Sequence, residues 1–375
     1  MKVLAALSGG VDSAVAAAFA VEAGHEVTAV HMALSSNKAQ SRCSSRGCCT
    51  IEDGTDAARA AAMLGIPFYV WDLAGEFTDT VVDDFVSEYA AGRTPNPCIR
   101  CNEFVKFQEL LERGLALGFD AVCTGHYAQL LSGPNGPELH RSVDKLKDQS
   151  YVLAVMGREN LNHVMFPLGH MASKAEVRQA AADRGLTVSN KPDSYDICFI
   201  PDGDTAGFLS RKLGTKPGNI VSYEGEVLGE HQGYFAYTVG QRKGLNLGRP
   251  APDGRPRYVL ETRPETNEVV VGPAELLTVD RIQTEDLVWL AEDDHAALVD
   301  GEWGTEVAIQ VRAHGEPVAA RIKRVGNGLE VKITGEERPG TVGMRAIAAG
   351  QSLVVYQESR VLGQSTIAKA WRERV

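Results

Sequence analysis

An apolar run from Val3 to Leu7 stops at Ser8-Gly9-Gly10, and an alanine-rich stretch of helical character begins at about Asp12. This order predicts a strand, a glycine turn and a helix N-terminus. Such a turn exposes backbone N–H groups at the point where the helix dipole adds partial positive charge, which makes a phosphate site. The lysine of GxxxxGK[ST] is missing, so this is not the common P-loop. Ser8 and Ser13 add hydroxyl donors, and Asp12 can either cap the helix or hold a metal ion beside the phosphates.

The string Ser8-Gly9-Gly10-Val11-Asp12-Ser13 resembles the pyrophosphate-binding loop of the N-type ATP pyrophosphatases. Those enzymes cleave ATP between the α and β phosphates and pass AMP to a carbonyl oxygen. A glycine pair alone would fit an ordinary strand–turn–helix with an aspartate cap. The whole string, between a strand and a helix, favours nucleotide binding.

The chain has 375 residues, enough for two or three domains. No apolar stretch has the length a membrane span needs, and the sequence runs straight into its first strand. The expectation is therefore a cytoplasmic protein with no membrane partner. A net charge of −11 opposes a polyanion, so any RNA site must be a local basic patch. Arg242 with Lys243, and Arg321 with Lys323 and Arg324, are candidates, although a solvated face is the plainer account of such runs. The seven cysteines, Cys43, Cys48, Cys49, Cys98, Cys101, Cys123 and Cys198, are odd in number and no secretion signal precedes them. Reactive thiols or a metal site are more in keeping with this than a disulfide framework.

Up to about Pro201 short apolar runs alternate with helical periods. Val27 to Leu34, Ile66 to Asp72 and Asp120 to Thr124 read as strands. Asp53 to Leu64, Phe77 to Ala91 and Asn102 to Leu117 read as helices. This alternation implies an α/β domain with a parallel sheet covered on both faces. Ligands of such sheets sit beyond the carboxyl ends of the strands, where the Ser8 turn, His31-Met32 and Gly125-His126 fall. After Phe208 helical periods give way to short strands and turns. Asn219 to Val227, Tyr234 to Tyr237, Arg257 to Thr262 and Glu268 to Val271 form one set. Asp286 to Ala291, Trp303 to Arg312, Val318 to Val325, Gly328 to Thr334 and Ser352 to Gln357 form the next. The expected organisation is a catalytic domain over 1–203, a central β-rich domain over 204–279 and a C-terminal β-barrel over 280–375.

Gly92 to Asn102, reading GRTPNPCIRCN, is a proline-stiffened loop in which Cys101 is expected to open a helix. A thiol at a helix N-terminus has a lowered pKa, and Arg93 and Arg100 could add to that effect. The competing account is half of a zinc site, which Cys43 and Cys48 could complete. Cys198, between Ile197 and Phe199, reads on its own segment as a small core residue.

Several longer strings occur in one order: SGGVDS, then GRTPNPC-x-x-CN followed by Lys106-Phe107, Thr124-Gly125-His126-Tyr127, and Lys147-Asp148-Gln149-Ser150-Tyr151. Phe166-Pro167-Leu168-Gly169, Asp193-Ser194 with Ile197-Cys198-Phe199, and Tyr237 to Leu245 follow. In these the chain resembles the bacterial tRNA-specific 2-thiouridylases over essentially its whole length. The resemblance implies a PP-loop ATPase domain of the adenine nucleotide alpha hydrolase-like kind, followed by two β-rich domains. It places ATP on Ala6, Leu7, Ser8, Gly9, Gly10, Val11, Asp12 and Ser13, with adenine near Met32 and Gly125, and Mg2+ beside the phosphates. The C2 oxygen of the wobble uridine, position 34, attacks the α-phosphate. Cys198 receives sulfur as a persulfide, Cys101 is the nucleophile that helps release it, and a transient Cys101–Cys198 disulfide remains. tRNA contacts fall on His126, Lys147, Asp148, Gln149, Arg312, Ala313 and Gln351. For Lys147 and Arg312 the plainer account is surface charge; for His126 it is a strand-end histidine bonded within its own loop. The implied partners are the tRNAs for Lys, Glu and Gln and a sulfur donor, either a cysteine desulfurase or a sulfur-relay protein. A target base flipped out of its stack is expected, since the C2 carbonyl is otherwise covered.

The chain departs from the family at three places. Cys98 stands where some members carry Asp, Tyr195 where many have Gln, and Ala313 where an aromatic is common. Cys98 makes a third thiol, and Cys98, Cys101 and Cys198 could together hold an iron–sulfur cluster through which sulfur passes without a disulfide. Three other activities compete: an AMP-forming amidotransferase-type ligase of the same loop class, a metal-stabilised RNA-binding protein, and a 4-thiouridine synthetase. The ligase has no use for Cys101 and Cys198, the binding protein releases no pyrophosphate, and the synthetase usually has an extra N-terminal RNA-binding region. Arg312→Ala is expected to weaken tRNA binding and to lower its salt dependence by about one phosphate contact. Binding measured across a salt series checks this, and an unaltered slope removes Arg312 from the contact.

Overall fold

The computed structural model describes residues 1–35, 51–190, 197–247, 254–292 and 294–373. Cys43, Cys48, Cys49, Asp193, Ser194 and Tyr195 lie outside the described residues, as does the zinc site that Cys43 and Cys48 would have completed.

The first strand, β1 (Lys2–Ala6), is buried on both faces from its second residue on, as a central parallel strand should be. Parallel partners flank it: β2 (Glu26–Ala33) and then β3 (Phe68–Asp72) on one side, β4 (Ala121–Cys123) and later β7 (Val164–Met165) on the other. Successive side chains of β1 point to opposite faces. Val3, Ala5 and Leu7 pack with the helices Val11–Glu22, Ile51–Leu64 and Lys174–Asp183. Leu4 and Ala6 pack with Ile99, Phe107, Leu110 and Leu111 on the opposite face. The helix Val11–Glu22 buries Ala14, Ala16, Ala17, Ala18 and Ala20, small side chains that let it lie close to the sheet. Its neighbour Lys174–Asp183 starts with Ser173 accepting from the Glu176 N–H at 3.3 Å, the cap that Ser-x-x-Glu encodes.

Two predicted helices are built differently from their sequence pattern. The segment expected as one helix from Phe77 starts at Ala74 and widens into π geometry over Thr78–Val82 before continuing as Asp83–Ala90. The cysteine helix starts at Pro97, not at Cys101. Asn96 caps it by accepting from the Cys98 N–H at 3.1 Å, and proline occupies the first turn, where its missing N–H costs nothing. The helix then takes π geometry over Cys101–Leu110 and ends as Leu111–Ala116. Cys98 is thus in the first turn and Cys101 in the second.

Between β4 and β7 the chain inserts a hairpin, β5 (Ala128–Gly133) and β6 (Gly136–Arg141), which is absent from the expected strands. A helix Thr205–Leu213 leads into the central sheet. That sheet is β8 (Gly218–Ser222), β9 (Val227–His231), β10 (Tyr258–Arg263) and β11 (Glu268–Gly272), in the order β10-β11-β8-β9. The run expected as one strand from Asn219 folds back at Gly225, whose φ is +94°. Tyr234–Ala236, expected in a strand, is a 3-10 turn.

After a short β12 (Thr278–Val279), the C-terminal domain closes six strands into a barrel. They are β13 (Arg281–Trp289), β14 (Glu306–Gln310), β15 (Val318–Val325), β16 (Gly328–Ile333), β20 (Ser352–Gln357) and β21 (Arg360–Trp371). The order is β13-β16-β15-β14-β20-β21, and β21 pairs back onto β13. The short strands β17 (Glu336–Arg338), β18 (Thr341–Val342) and β19 (Met344–Arg345) lie outside the wall. Ile282, Ile309, Ile322, Val331, Leu353 and Ile367 fill the interior. The hairpin β5–β6 extends this sheet through Arg360 opposite His140, so the first and last domains share a sheet as well as a core. Truncating Ile322, fully buried in that interior, to alanine should cost about 2–5 kcal/mol. Denaturant unfolding of the barrel transition measures it, and a loss near zero would contradict the packing described.

Candidate functional site

Gly9 has a φ of +78° and passes so close to the Asp53 carbonyl that any side chain would collide with it. Both constraints require glycine. The next residue, Gly10, stands at the cap position of the helix Val11–Glu22 and offers no side-chain cap. The first-turn N–H groups of that helix are therefore left for a ligand. Ser8 and Ser13 bridge the loop, with Ser13 Oγ accepting from the Ser8 N–H at 3.1 Å and lying 3.2 Å from Ser8 Oγ. Ala6, Leu7 and Val11 are buried beneath it. The carboxyl end of β2 is bolted to the same loop, with His31 Nδ1 donating to the Leu7 carbonyl at 2.8 Å. From the other side Gly125 abuts the helix start, where a Cβ would come within 2.6 Å of the Asp12 and Ser13 backbone. The loop thus lies at the reversal of strand order between β1 and β4, where sheets of this kind bind their ligands.

Asp12 does not cap the helix. Its carboxylate accepts from Tyr127 Oη at 2.7 Å and from Lys174 Nζ at 2.6 Å. Lys174 was missed in the sequence, where nothing but the Ser173 cap marks its segment. Gln149 in turn holds Tyr127: its Oε1 accepts from the Tyr127 N–H at 2.9 Å, and its own N–H donates to the Tyr127 carbonyl at 2.8 Å. A cation 162 residues distant in sequence therefore sits beside the phosphate loop.

Cys101 and Cys198 pack against one small apolar cluster of Leu34, Leu73, Phe77, Val81, Val82 and Val105, together with Met32. Met32 follows His31, so the thiols and the loop are joined through the end of β2. Phe199 anchors the Cys198 segment, with ring centroids 5.9 Å from Phe77, 5.3 Å from Phe85 and 5.6 Å from Phe208. The lone-core account of Cys198 does not hold, since the residue is only half-buried. Cys98 is exposed. Among the described residues no three His, Cys, Asp or Glu side chains are placed as metal ligands. The placement of Cys98, Cys101 and Cys198 thus lends an iron–sulfur cluster no support. Cys123 is buried and desolvation pushes its thiol up to about 12, which makes it inert.

Two electrostatic expectations for Cys101 change. In the second turn it lies beyond the strongest part of the helix dipole. The nearby guanidinium groups are already matched: Arg93 lies 2.7 Å from Glu88 and 2.8 Å from Glu285, and Arg100 lies 3.3 Å from Asp84 and 3.0 Å from Glu103.

The residues implied as tRNA contacts are mostly engaged within the protein. His126 is buried, and desolvation, with the Lys106 ammonium beside it, holds it well below the ordinary imidazole range. Lys106 Nζ, 3.3 Å away, can only donate to Nε2, so Nδ1 carries the proton and donates to Thr124 Oγ1 at 2.8 Å. This is the strand-end arrangement. Asp148 accepts from the Ser142 and Ser150 N–H groups and from Ser150 Oγ, shaping the turn that carries half-buried Lys147. Arg312 pairs with Glu337 at 3.1 Å and donates to the Arg345 and Ala346 carbonyls. Ala313 packs on the core beneath β1. Gln351 donates to the Thr94 carbonyl, and the Thr94 N–H donates to the Ala349 carbonyl at 2.8 Å. These bonds clip the cysteine loop to the barrel.

Three family models match in series: a tRNA methyl transferase HUP domain over residues 1–202, a tRNA methyl transferase PRC-barrel domain over 206–273, and an aminomethyltransferase beta-barrel domain over 279–367. The tRNA-specific 2-thiouridylase MnmA of Beutenbergia cavernae is 61% identical, with 100% of this chain and 97% of that protein covered. Its counterpart in Kocuria rhizophila is 57% identical, over 100% and 99%. Among solved structures, a 4-thiouridine synthetase–RNA complex with bound ATP matches at 17% identity and a TM-score of 0.35, over 56% of this chain and 50% of that one.

Lys174→Ala should raise the ATP concentration needed for pyrophosphate release about tenfold, since it leaves the Asp12 carboxylate uncompensated beside the phosphate loop. tRNA affinity should not change. An unaltered ATP dependence would separate Lys174 from the nucleotide site.

Proposed function

The chain belongs to the tRNA-specific 2-thiouridylase family, and on that premise we propose how its residues carry out ATP-dependent 2-thiolation of the wobble uridine. The activity is that of a tRNA-uridine 2-sulfurtransferase, giving 2-thiouridine, AMP and pyrophosphate. What supports the assignment of roles is the packing of Cys101, Cys198 and Met32 on one cluster beside an uncapped helix start.

ATP binds with its phosphates on Ser8 to Ser13. The N–H groups at the head of Val11–Glu22 and the hydroxyls of Ser8 and Ser13 receive the departing pyrophosphate. Adenine lies against Met32 and Gly125. Asp12, now bonded to Tyr127 and Lys174, is the carboxylate that would hold Mg2+ at the phosphates. The ion supplies charge neutralisation on the phosphate oxygens. The uridine C2 oxygen attacks the α-phosphate, and pyrophosphate leaves. The carbonyl oxygen is a poor leaving group; as an AMP ester it becomes a good one.

Sulfur arrives on Cys198 as a persulfide. The terminal persulfide sulfur attacks C2 and AMP departs with the former C2 oxygen. The Cys101 thiolate then attacks Cys198 Sγ, and the electron pair of the broken S–S bond stays with the sulfur now on C2. A Cys101–Cys198 disulfide results, and a dithiol reductant returns both thiols for the next turnover. The π-wound turns that start at Cys101 are a common device at functional sites. Cys98, exposed in the first turn, takes no step. The tRNA partners are those for Lys, Glu and Gln. Lys147, on the turn held by Asp148, and Gln351, bonded to the Thr94 carbonyl, are assigned to tRNA contact. The sulfur donor is a cysteine desulfurase or a relay protein, and the enzyme works in the cytoplasm.

Cys198→Ser and Cys101→Ser should each abolish thiolation, while pyrophosphate release with cognate tRNA continues. Parallel assays of 2-thiouridine and pyrophosphate test this. Either variant thiolating at the wild-type rate with a persulfide donor would overturn the two-cysteine route.

A further inference from the structure

Next to the Cys198 segment lies a cleft of about 380 Å³ whose wall is formed by Phe199, Ile200, Pro201 and Phe208. Exposed Arg211 and Lys212 and the carboxylate of Asp202 complete its lining. Phe199 and Phe208 also pack on the cluster that carries Cys101 and Cys198, so the cleft and the sulfur site share a wall. Among the described residues neither Cys198 nor any of Ser8 to Ser13, Met32, Cys98 and Cys101 lines the cleft; Phe199, the chain neighbour of Cys198, joins it to the sulfur site. A uridine that must be adenylated at the phosphate loop therefore does not react from here.

Arg211 and Lys212 are exposed in the last turn of Thr205–Leu213, and among the described residues neither has a carboxylate within ion-pair distance. Elsewhere the arginines around the site are matched by carboxylates, as Arg93, Arg100 and Arg312 show. A helix C-terminus favours cations, which accounts for the residue type. It does not account for a hollow walled by two aromatic rings, with polar and apolar lining in similar measure, beside two unmatched charges. Two aromatic rings, two further apolar side chains and two exposed cations fit a protein loop with an apolar tip and acidic flanks. A phosphate backbone would use the charges and leave the hollow idle.

We propose that this cleft is the docking surface for the persulfide-bearing loop of the sulfur-donor protein, with Phe199 and Phe208 receiving its apolar tip and Arg211 and Lys212 its carboxylates. The inference rests on Cys198 being the residue that accepts sulfur. In the transfer, the Cys198 thiolate attacks the terminal sulfur of the donor persulfide. The donor S–S bond breaks, its electron pair stays on the donor cysteine as thiolate, and a new S–S bond forms on Cys198 with no net oxidation or reduction.

The test compares two sulfur sources for the full chain with cognate tRNA and ATP. One is a bacterial cysteine desulfurase charged with L-cysteine; the other is glutathione persulfide, which needs no docking surface. Arg211→Glu with Lys212→Glu changes only exposed side chains. It should lower kcat/KM for the desulfurase about tenfold and flatten its salt dependence, with the glutathione persulfide reaction unchanged. If both sources lose activity together, or neither does, the docking assignment is overturned. Cys198→Ser is run beside it. Full activity of that variant with glutathione persulfide would overturn the persulfide reading itself, a result separable from the behaviour of the charge reversal.

Discussion

The packing of Phe199 among Phe77, Phe85 and Phe208 is the contact on which the proposed partnership of Cys101 and Cys198 depends. It joins a segment just ahead of the central domain to the helices Ala74–Phe77 and Asp83–Ala90 of the catalytic domain. Cys198 is carried on that segment, almost a hundred residues beyond Cys101 in the chain. Closing so long a loop costs entropy that only burial elsewhere can offset. Edge-to-face rings supply that burial and fix an orientation. Phe199 and Phe208 belong to two cores at once, the one under the central sheet and the one under the cysteine helix. Cys101 and Cys198 thus pack on one cluster at the seam between the catalytic and central domains.

The nucleotide half of the site rests on electrostatics over similar sequence distances. Asp12 is held by Tyr127 and Lys174, and Tyr127 by Gln149. The central strands therefore need not carry any charge themselves, and the loop can keep its N–H groups for phosphate. The acidic balance of the chain is handled locally. Arginines near the site are paired, as Arg93 and Arg100 are, which leaves few cations in a position to meet an incoming polyanion or an acidic partner.

What could be read in the sequence was what local physics determines. The apolar run of β1, the glycine turn at Gly9-Gly10 and the helix beyond it follow from neighbours a few residues apart, and the barrel was legible in the alternating runs of β15, β16 and β20. The PP-loop and the two-cysteine arrangement were legible only through motif strings, since no periodicity relates Cys101 to Cys198. The start of the cysteine helix was misplaced although Asn96 and Pro97 are a cap and first-turn pair; the competing cue was the apolar period that begins after Cys101. Lys174 was not found because its partner Asp12 lies 162 residues away; the hairpin β5–β6 is local, with Gly133 opposite Gly136, and its turn signal Gly133-Pro134-Asn135-Gly136 was passed over. The protein partners of the residues expected to contact tRNA could not be read either, for the reason that hid Lys174. Arg312 and Gln351 carry donors that suit RNA, and only the fold reveals that Glu337, Arg345 and Thr94 already occupy them.

The central claim is that Cys101 and Cys198 act on one sulfur atom. Single-turnover thiolation of cognate tRNA with a persulfide-loaded enzyme and no reductant, followed by alkylation and peptide mapping, addresses it directly. The account predicts one Cys101–Cys198 disulfide for each 2-thiouridine formed, with Cys98 and Cys123 alkylated as free thiols. Stoichiometric 2-thiouridine with Cys101 and Cys198 both still open to alkylation would contradict it.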